Sequence, residues 1–171
     1  MDQPKKDSAP TPAAKIFQIL WVGLLGAQFM YAFILRGVLA RGWESPDPRW
    51  LPNFGDPFEM SLGIAAAVTF LTGFVVPSLI ARGMGAKIHA ALRDESRPRD
   101  VVPPLLFAPF IVRLAMFEAV CLLGFVLANK AHAPNLIFPF LALSAGATLK
   151  NFPSTPEKVA EDLGLAGVGP R

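Results

Sequence analysis

The chain has 171 residues, 53% of them hydrophobic and only 17% charged, with a formal net charge of +3. That composition excludes an ordinary soluble domain, and a mean hydropathy of +0.43 agrees. Nucleic acid is excluded as a partner too, because the basic residues neither interleave with exposed aromatics nor collect on one soluble face.

Residues 1–14 begin MDQPKKDSAPTP, polar and proline-rich, and predict a disordered cytoplasmic tail. From Ile16 to Leu35 no charge interrupts the sequence, with Lys15 and Arg36 as fences. A bilayer core roughly 30 Å thick is crossed by about 20 helical residues, so a first span is predicted over about 16–36. Lysines ahead of an apolar run invite a signal-peptide reading. The run is too long for such a segment and no A-x-A-like site follows, so a retained span is expected.

The following loop, Gly37 to Pro57, holds Pro46, Pro48, Pro52 and Pro57 with Trp43 and Trp50. Proline at this density forbids a regular helix, and tryptophan favours the headgroup level. The loop reads as an interfacial anchor, with a partner-binding loop as the alternative. The second span is expected over about 59–81. Its small residues pair at i,i+4, Gly63 with Ala67 and Thr69 with Gly73, which predicts close helix packing within the monomer or between copies. Pro77 predicts a kink. Beyond it, Ile80, Met84, Ile88 and Leu92 recur every four residues beside Lys87 and Arg93, an amphipathic extension suited to the cytoplasmic leaflet.

A third span is predicted over about 104–129 and a shorter fourth over about 134–150, joined by a tight turn from Asn129 to Pro134. The fourth carries Pro139 and the small pair Ala142 and Gly146. Residues 153–171 form a cytoplasmic tail in which Thr155, ahead of proline and acidic residues, caps a short helix ending near Leu163. The whole reads as an all-α integral membrane protein. A four-helix membrane domain over 15–152, with a Pro/Trp-rich first loop, carries both tails.

With four spans, one side holds Lys5, Lys6, Lys15, Arg82, Lys87, Arg93, Arg97, Arg99, Lys150, Lys158 and Arg171. The other holds Arg36, Arg41, Arg49 and Lys130. The positive-inside rule then places both termini in the cytoplasm and the chain in the cell inner membrane. Its environment is the lipid bilayer, and the expected partners are other membrane subunits or copies of itself.

Motifs of soluble enzymes are absent: no G-x-G-x-x-G, no G-x-x-x-x-G-K-[ST], no H-E-x-x-H and no C-x-x-C. No span contains a histidine, so an axially ligated haem is not expected, nor any other cofactor or metal. His89 reads as a solvated loop residue, and the single cysteine, Cys121, forms no intramolecular disulfide. Two charges inside the third span remain, Arg113 and Glu118. Five residues apart, they diverge by roughly 140° around a helix and do not pair with each other. Arg113 lies near enough to the cytoplasmic end to snorkel. Glu118 lies near mid-membrane, where a carboxyl costs several kcal/mol and marks function or packing. Its candidate partners are Gln18, Gln28, Tyr31, Thr69, Thr72 or Arg113 of a second copy.

The stretch Met116 to Ala128, MFEAVCLLGFVLA, resembles the carboxyl-bearing helix of the rotary ATP synthase c subunit. The resemblance implies that Glu118 accepts and releases a transported ion. It is confined to this stretch: no glycine-rich partner helix precedes it, and four-helix proteolipids of that kind usually carry the acid in their last span. A non-enzymatic subunit or scaffold, with Glu118 and Arg113 as ion-binding or interhelical polar contacts, is the first expectation, and a c-like ion carrier the second.

Overall fold

In the computed structural model, residues 12–93 and 102–165 are described. All regular structure among them is helical. The helices are α1 (Pro12–Ile34), α2 (Pro57–Gly83), α3 (Gly85–Arg93), α4 (Val102–Lys130), α5 (Ile137–Lys150) and α6 (Pro156–Asp162). The N-terminal tail to residue 11, residues 94–101 and the tail beyond Leu165 lie outside the described residues, as do the side chains of His89 and Leu92.

Three helices are long and apolar enough to cross a membrane: Lys15–Gly42, Pro57–Gly83 and Leu105–Lys130. The fourth predicted segment forms α5, only 14 residues long, preceded by a 3-10 turn at Pro134–Leu136. The first span overruns its expected end. After Ile34 the helix widens into a π-turn at Leu35–Leu39 and tightens into a 3-10 turn at Ala40–Gly42.

Side-chain pairings fix the directions. Along α4, Arg113, Phe117 and Gly124 meet Asn151, Ser144 and Phe140, so α5 descends as α4 ascends. Along α2, Gly73 meets Phe117 and Ser78 meets Arg113, so α2 is antiparallel to α4 as well. Phe17 packs on Phe110 and Tyr31 on Phe125, so α1 runs parallel to α4. Helix α4 is the central post: 44% of its most apolar window is buried, against 17% in α1 and 22% in α2. Helices α1 and α2 each pack on α4 but not along one another.

The outer faces of α1 and α2 are apolar. Ile19, Val22 and Phe33 stand out from α1, and Ile64, Leu71 and Leu79 from α2. In water such faces would be aggregation patches, whereas in hydrocarbon they are the surface required. The buried side of α2 is another stripe, Glu59, Ala66, Gly73, Pro77 and Ala81, spaced by sevens and fours.

Local chemistry sets the ends. Asp56 caps α2, accepting from the Phe58 N–H at 2.8 Å and the Glu59 N–H at 3.3 Å, and Pro57 follows as the first helical residue. Helix α4 ends in a Schellman motif: His132 N–H donates to Asn129 O at 3.3 Å and Ala133 N–H to Ala128 O at 3.0 Å. This puts His132 at φ 50°, a left-handed conformation more usual for glycine. Thr155 caps α6 by accepting from the Lys158 N–H at 3.2 Å.

That last helix is not a free surface helix. Val159, Ala160, Leu163 and Leu165 are buried with Phe17, Ile88, Leu106 and Phe110 in a core at the end of the bundle where the tails emerge. Ile88 is fully enclosed there, so α3 turns its apolar residue into protein and not toward the leaflet.

Candidate functional site

Arg113 and Glu118 lie on different sides of α4, and each has its own partners. Tyr31 Oη donates to Glu118 Oε1 at 2.9 Å, joining α1 to α4. No second polar partner reaches the Glu118 carboxyl among the described residues. Glu118 is partly exposed, and Ala115, Leu122 and Val126, three, four and eight positions away on the same helical face, are exposed. The acid therefore borders an outward strip of α4, next to α1. Of the partners the sequence offered, Tyr31 is the one the fold supplies. Gln18 donates to Pro153 O at 3.5 Å and Gln28 to Thr148 Oγ1 at 3.1 Å, both tying α1 to the α5 side.

Arg113 does not snorkel; it is buried, 3% exposed. Its Nη1 donates to Asn151 Oδ1 at 3.0 Å and to the Asp162 carbonyl at 2.6 Å, and its Nη2 donates to Ser78 Oγ at 3.1 Å. One guanidinium thus joins α2, α4, the end of α5 and the end of α6. The Asp162 carbonyl is at the C-terminus of α6, where a helix dipole favours a cation. Asp162's carboxylate pairs instead with Lys158 at 2.8 Å. The Arg113 Nε has no acceptor among the described residues. The arrangement is a structural clamp with no room for a ligand beside it.

The small residues divide sharply. A Cβ on Gly73 would come within 2.9 Å of Phe117, so this glycine is a true close-approach position. Gly63 and Gly146 would meet nothing within 4 Å, and Ala67 and Ala142 are exposed. Within one chain Ala67, Ala142 and Gly146 look outward, and Gly63 is half-buried beside open space. The tightest approach is one that spacing did not single out: a Cβ on Gly124 would stand 2.5 Å from Phe140 Cβ. Cys121 is buried between α1, α4 and α5, its thiol 3.6 Å from the Gln28 carbonyl.

The first loop is built, not draped. Glu59, buried at the start of α2, pairs with Arg49 at 2.5 Å and accepts from the Asn53 N–H at 2.6 Å; Arg49 also pairs with Asp47 at 3.0 Å. The Asp47 N–H donates to His132 O at 2.9 Å, and Asn135 Nδ2 donates to Pro48 O at 2.9 Å. Trp43 stacks on His132 with centroids 4.9 Å apart and Trp50 on Phe138 at 5.4 Å. The loop is therefore clamped onto the α4–α5 turn.

Among the described residues the chain is all-helical, with three helices long and apolar enough to cross a bilayer and a half-buried acid on the central one. No protein-family model, curated protein or solved structure matches it. Among the described residues no cluster of histidine, cysteine, aspartate or glutamate could hold a metal ion.

Proposed function

We propose that the protein is a small multi-pass subunit or scaffold of a membrane complex, without catalysis of its own. Glu118 and Tyr31 form the polar point at which a neighbouring transmembrane helix docks. The observation that carries this reading is the place of the half-buried Glu118 at the border of the outward strip of α4, with one hydroxyl as its partner. In hydrocarbon an incompletely paired carboxyl is costly. A helix bringing an amide, hydroxyl or basic group to that depth would complete its hydrogen bonding. The exposed Ala67, Ala142 and Gly146, with Gly63 beside open space, would let further helices, or copies of this chain, approach closely.

In this reading α5 is the fourth span. Its 14 residues rise about 21 Å, and the preceding 3-10 turn extends it toward the full bilayer. Its antiparallel course along α4 supports the assignment. Both termini then share the cytoplasmic side of the inner membrane, and the clamped loop faces away. Cysteines introduced at Ser45 and Ser154 should label from opposite sides with an impermeant reagent.

The test of the docking role is a pair of substitutions read by native electrophoresis of the detergent-extracted complex. Glu118→Gln keeps shape and hydrogen-bonding capacity, so assembly should persist; Glu118→Leu should lose it. A second reading follows from the resemblance to c-like proteolipids and from the single hydrogen bond on the acid. There Glu118 binds and releases a proton or cation, Glu118→Gln abolishes function despite intact assembly, and carbodiimide labels Glu118 unless Na⁺ or high pH blocks it. If Glu118→Leu assembles as well as the native chain, the docking role fails.

A further inference from the structure

The end of the bundle opposite the tails carries a pocket of about 270 Å³ between the exit of the first span and the clamped loop. Its charged and polar walls are Arg36, Arg41, Asp47 and Asn135, and Pro46, Pro48 and Pro134 supply rigid sides without N–H groups.

The backbone explains why two arginines meet there. On a regular α-helix Arg36 and Arg41 would point roughly 140° apart. The turn at Leu35–Leu39 is a π-turn, with the Ala40 N–H donating to the Leu35 carbonyl, and an i to i+5 register brings residues five apart toward one face. Such turns cost helix regularity and are frequent at functional sites. The result is two exposed arginines on the wall of one open pocket at this end of the bundle.

Their neighbours leave them available. Arg36 Nη1 donates to Asn135 Oδ1 at a long 3.4 Å while its guanidinium lies 5.6 Å from the Phe138 ring centroid, contacts that orient it without consuming its donors. Asn135 is held in turn by its bond to Pro48 O. Arg41 has no hydrogen-bond partner among the described residues. The one acid in the wall, Asp47, lies 3.0 Å from Arg49 Nε and accepts from the Arg49 N–H at the same distance, contacts that hold it on the Arg49 side, although Arg49 is shared with Glu59.

We infer that this pocket binds a phosphate group between the guanidinium groups of Arg36 and Arg41. Planar forked donors match tetrahedral oxyanions. The chemistry has two possible sources, a phospholipid headgroup reaching in from the outer rim of the bundle or free phosphate. Trp43, stacked on His132 of the adjacent turn, and Trp50, stacked on Phe138 at the start of α5, set the pocket near headgroup depth.

The test is calorimetric titration of the full-length protein in neutral maltoside micelles with inorganic phosphate and, separately, with dihexanoyl phosphatidylglycerol. Saturable binding of the lipid alone assigns the headgroup; saturable binding of both assigns phosphate itself. Arg36→Gln and Arg41→Gln should each weaken binding about tenfold, the loss of a charge-assisted contact. Lys130→Gln, which removes the same charge at the same end but outside the pocket, should change it less than about twofold. Both arginines are exposed, so melting curves should match the native chain. The inference is overturned if neither probe saturates by millimolar concentration, or if Lys130→Gln weakens binding as much as the arginine variants.

Discussion

Replacing Arg113 by methionine removes one guanidinium from the meeting point of four elements. Ser78 keeps its other bond, to Phe74 O at 2.8 Å, so two acceptors are orphaned, Asn151 Oδ1 and the Asp162 carbonyl. A buried unpaired acceptor costs about 1–3 kcal/mol, so the loss totals about 2–6 kcal/mol. Removing a buried cation recovers part of this, because its desolvation is itself unfavourable. The net expected destabilisation is about 2 kcal/mol, and it falls first on α6, whose Asp162 carbonyl loses its hydrogen bond to α4. Arg113→Lys should be worse than Arg113→Met. A compact ammonium cannot span Asn151, Asp162 O and Ser78 together, and it stays buried with fewer bonds. Limited proteolysis in detergent reads the release of residues 153–165, and thermal unfolding reads the whole bundle. A lysine variant as stable as the native chain, or a methionine variant with α6 still protected, would refute the reasoning.

Gly124→Ala should destabilise the bundle by about 1–3 kcal/mol, because a methyl there overlaps the Phe140 Cβ on a packed backbone. Gly146→Ala, facing open space, should be neutral or slightly stabilising, and comparing the two melting temperatures checks the pair. His132→Val should cost about 1–2 kcal/mol, since a β-branched residue resists φ 50° and the stack on Trp43 is lost. The melting temperature of that variant against the native chain checks the change.

The three long helices were legible because lipid imposes a length and forbids charge, and Ile16–Leu35 and Met60–Ala81 obey both rules. The caps at Asp56 and Thr155 lie in local sequence of the kind that dictates local structure, and Thr155 was read from it. Which face each helix turns to its neighbours was not legible. Spacing says that Gly63 and Ala67 share a face, but only packing says where that face points, and here α4 takes the Ala66–Gly73 face. Gly124 escaped because its partner is a phenylalanine on another helix and not a second small residue four positions away. Arg113 was expected to snorkel because its ligands, Asn151 and Asp162, come from chain 38 and 49 positions distant. The ordered loop was hidden for the same reason: Asp47 meets His132, and Pro48 meets Asn135, only after α4 and α5 have folded back.

Site-specific photo-crosslinking in native membranes addresses the outward acid most directly. A photoreactive residue at Leu122, one turn from Glu118 on the exposed strip of α4, is compared with one at Leu79 on the apolar outer face of α2. Position 122 should yield a discrete protein adduct that disappears with Glu118→Leu, while position 79 yields lipid adducts. Lipid adducts alone from position 122, unchanged by Glu118→Leu, would contradict the account of Glu118 as a docking point for a neighbouring helix.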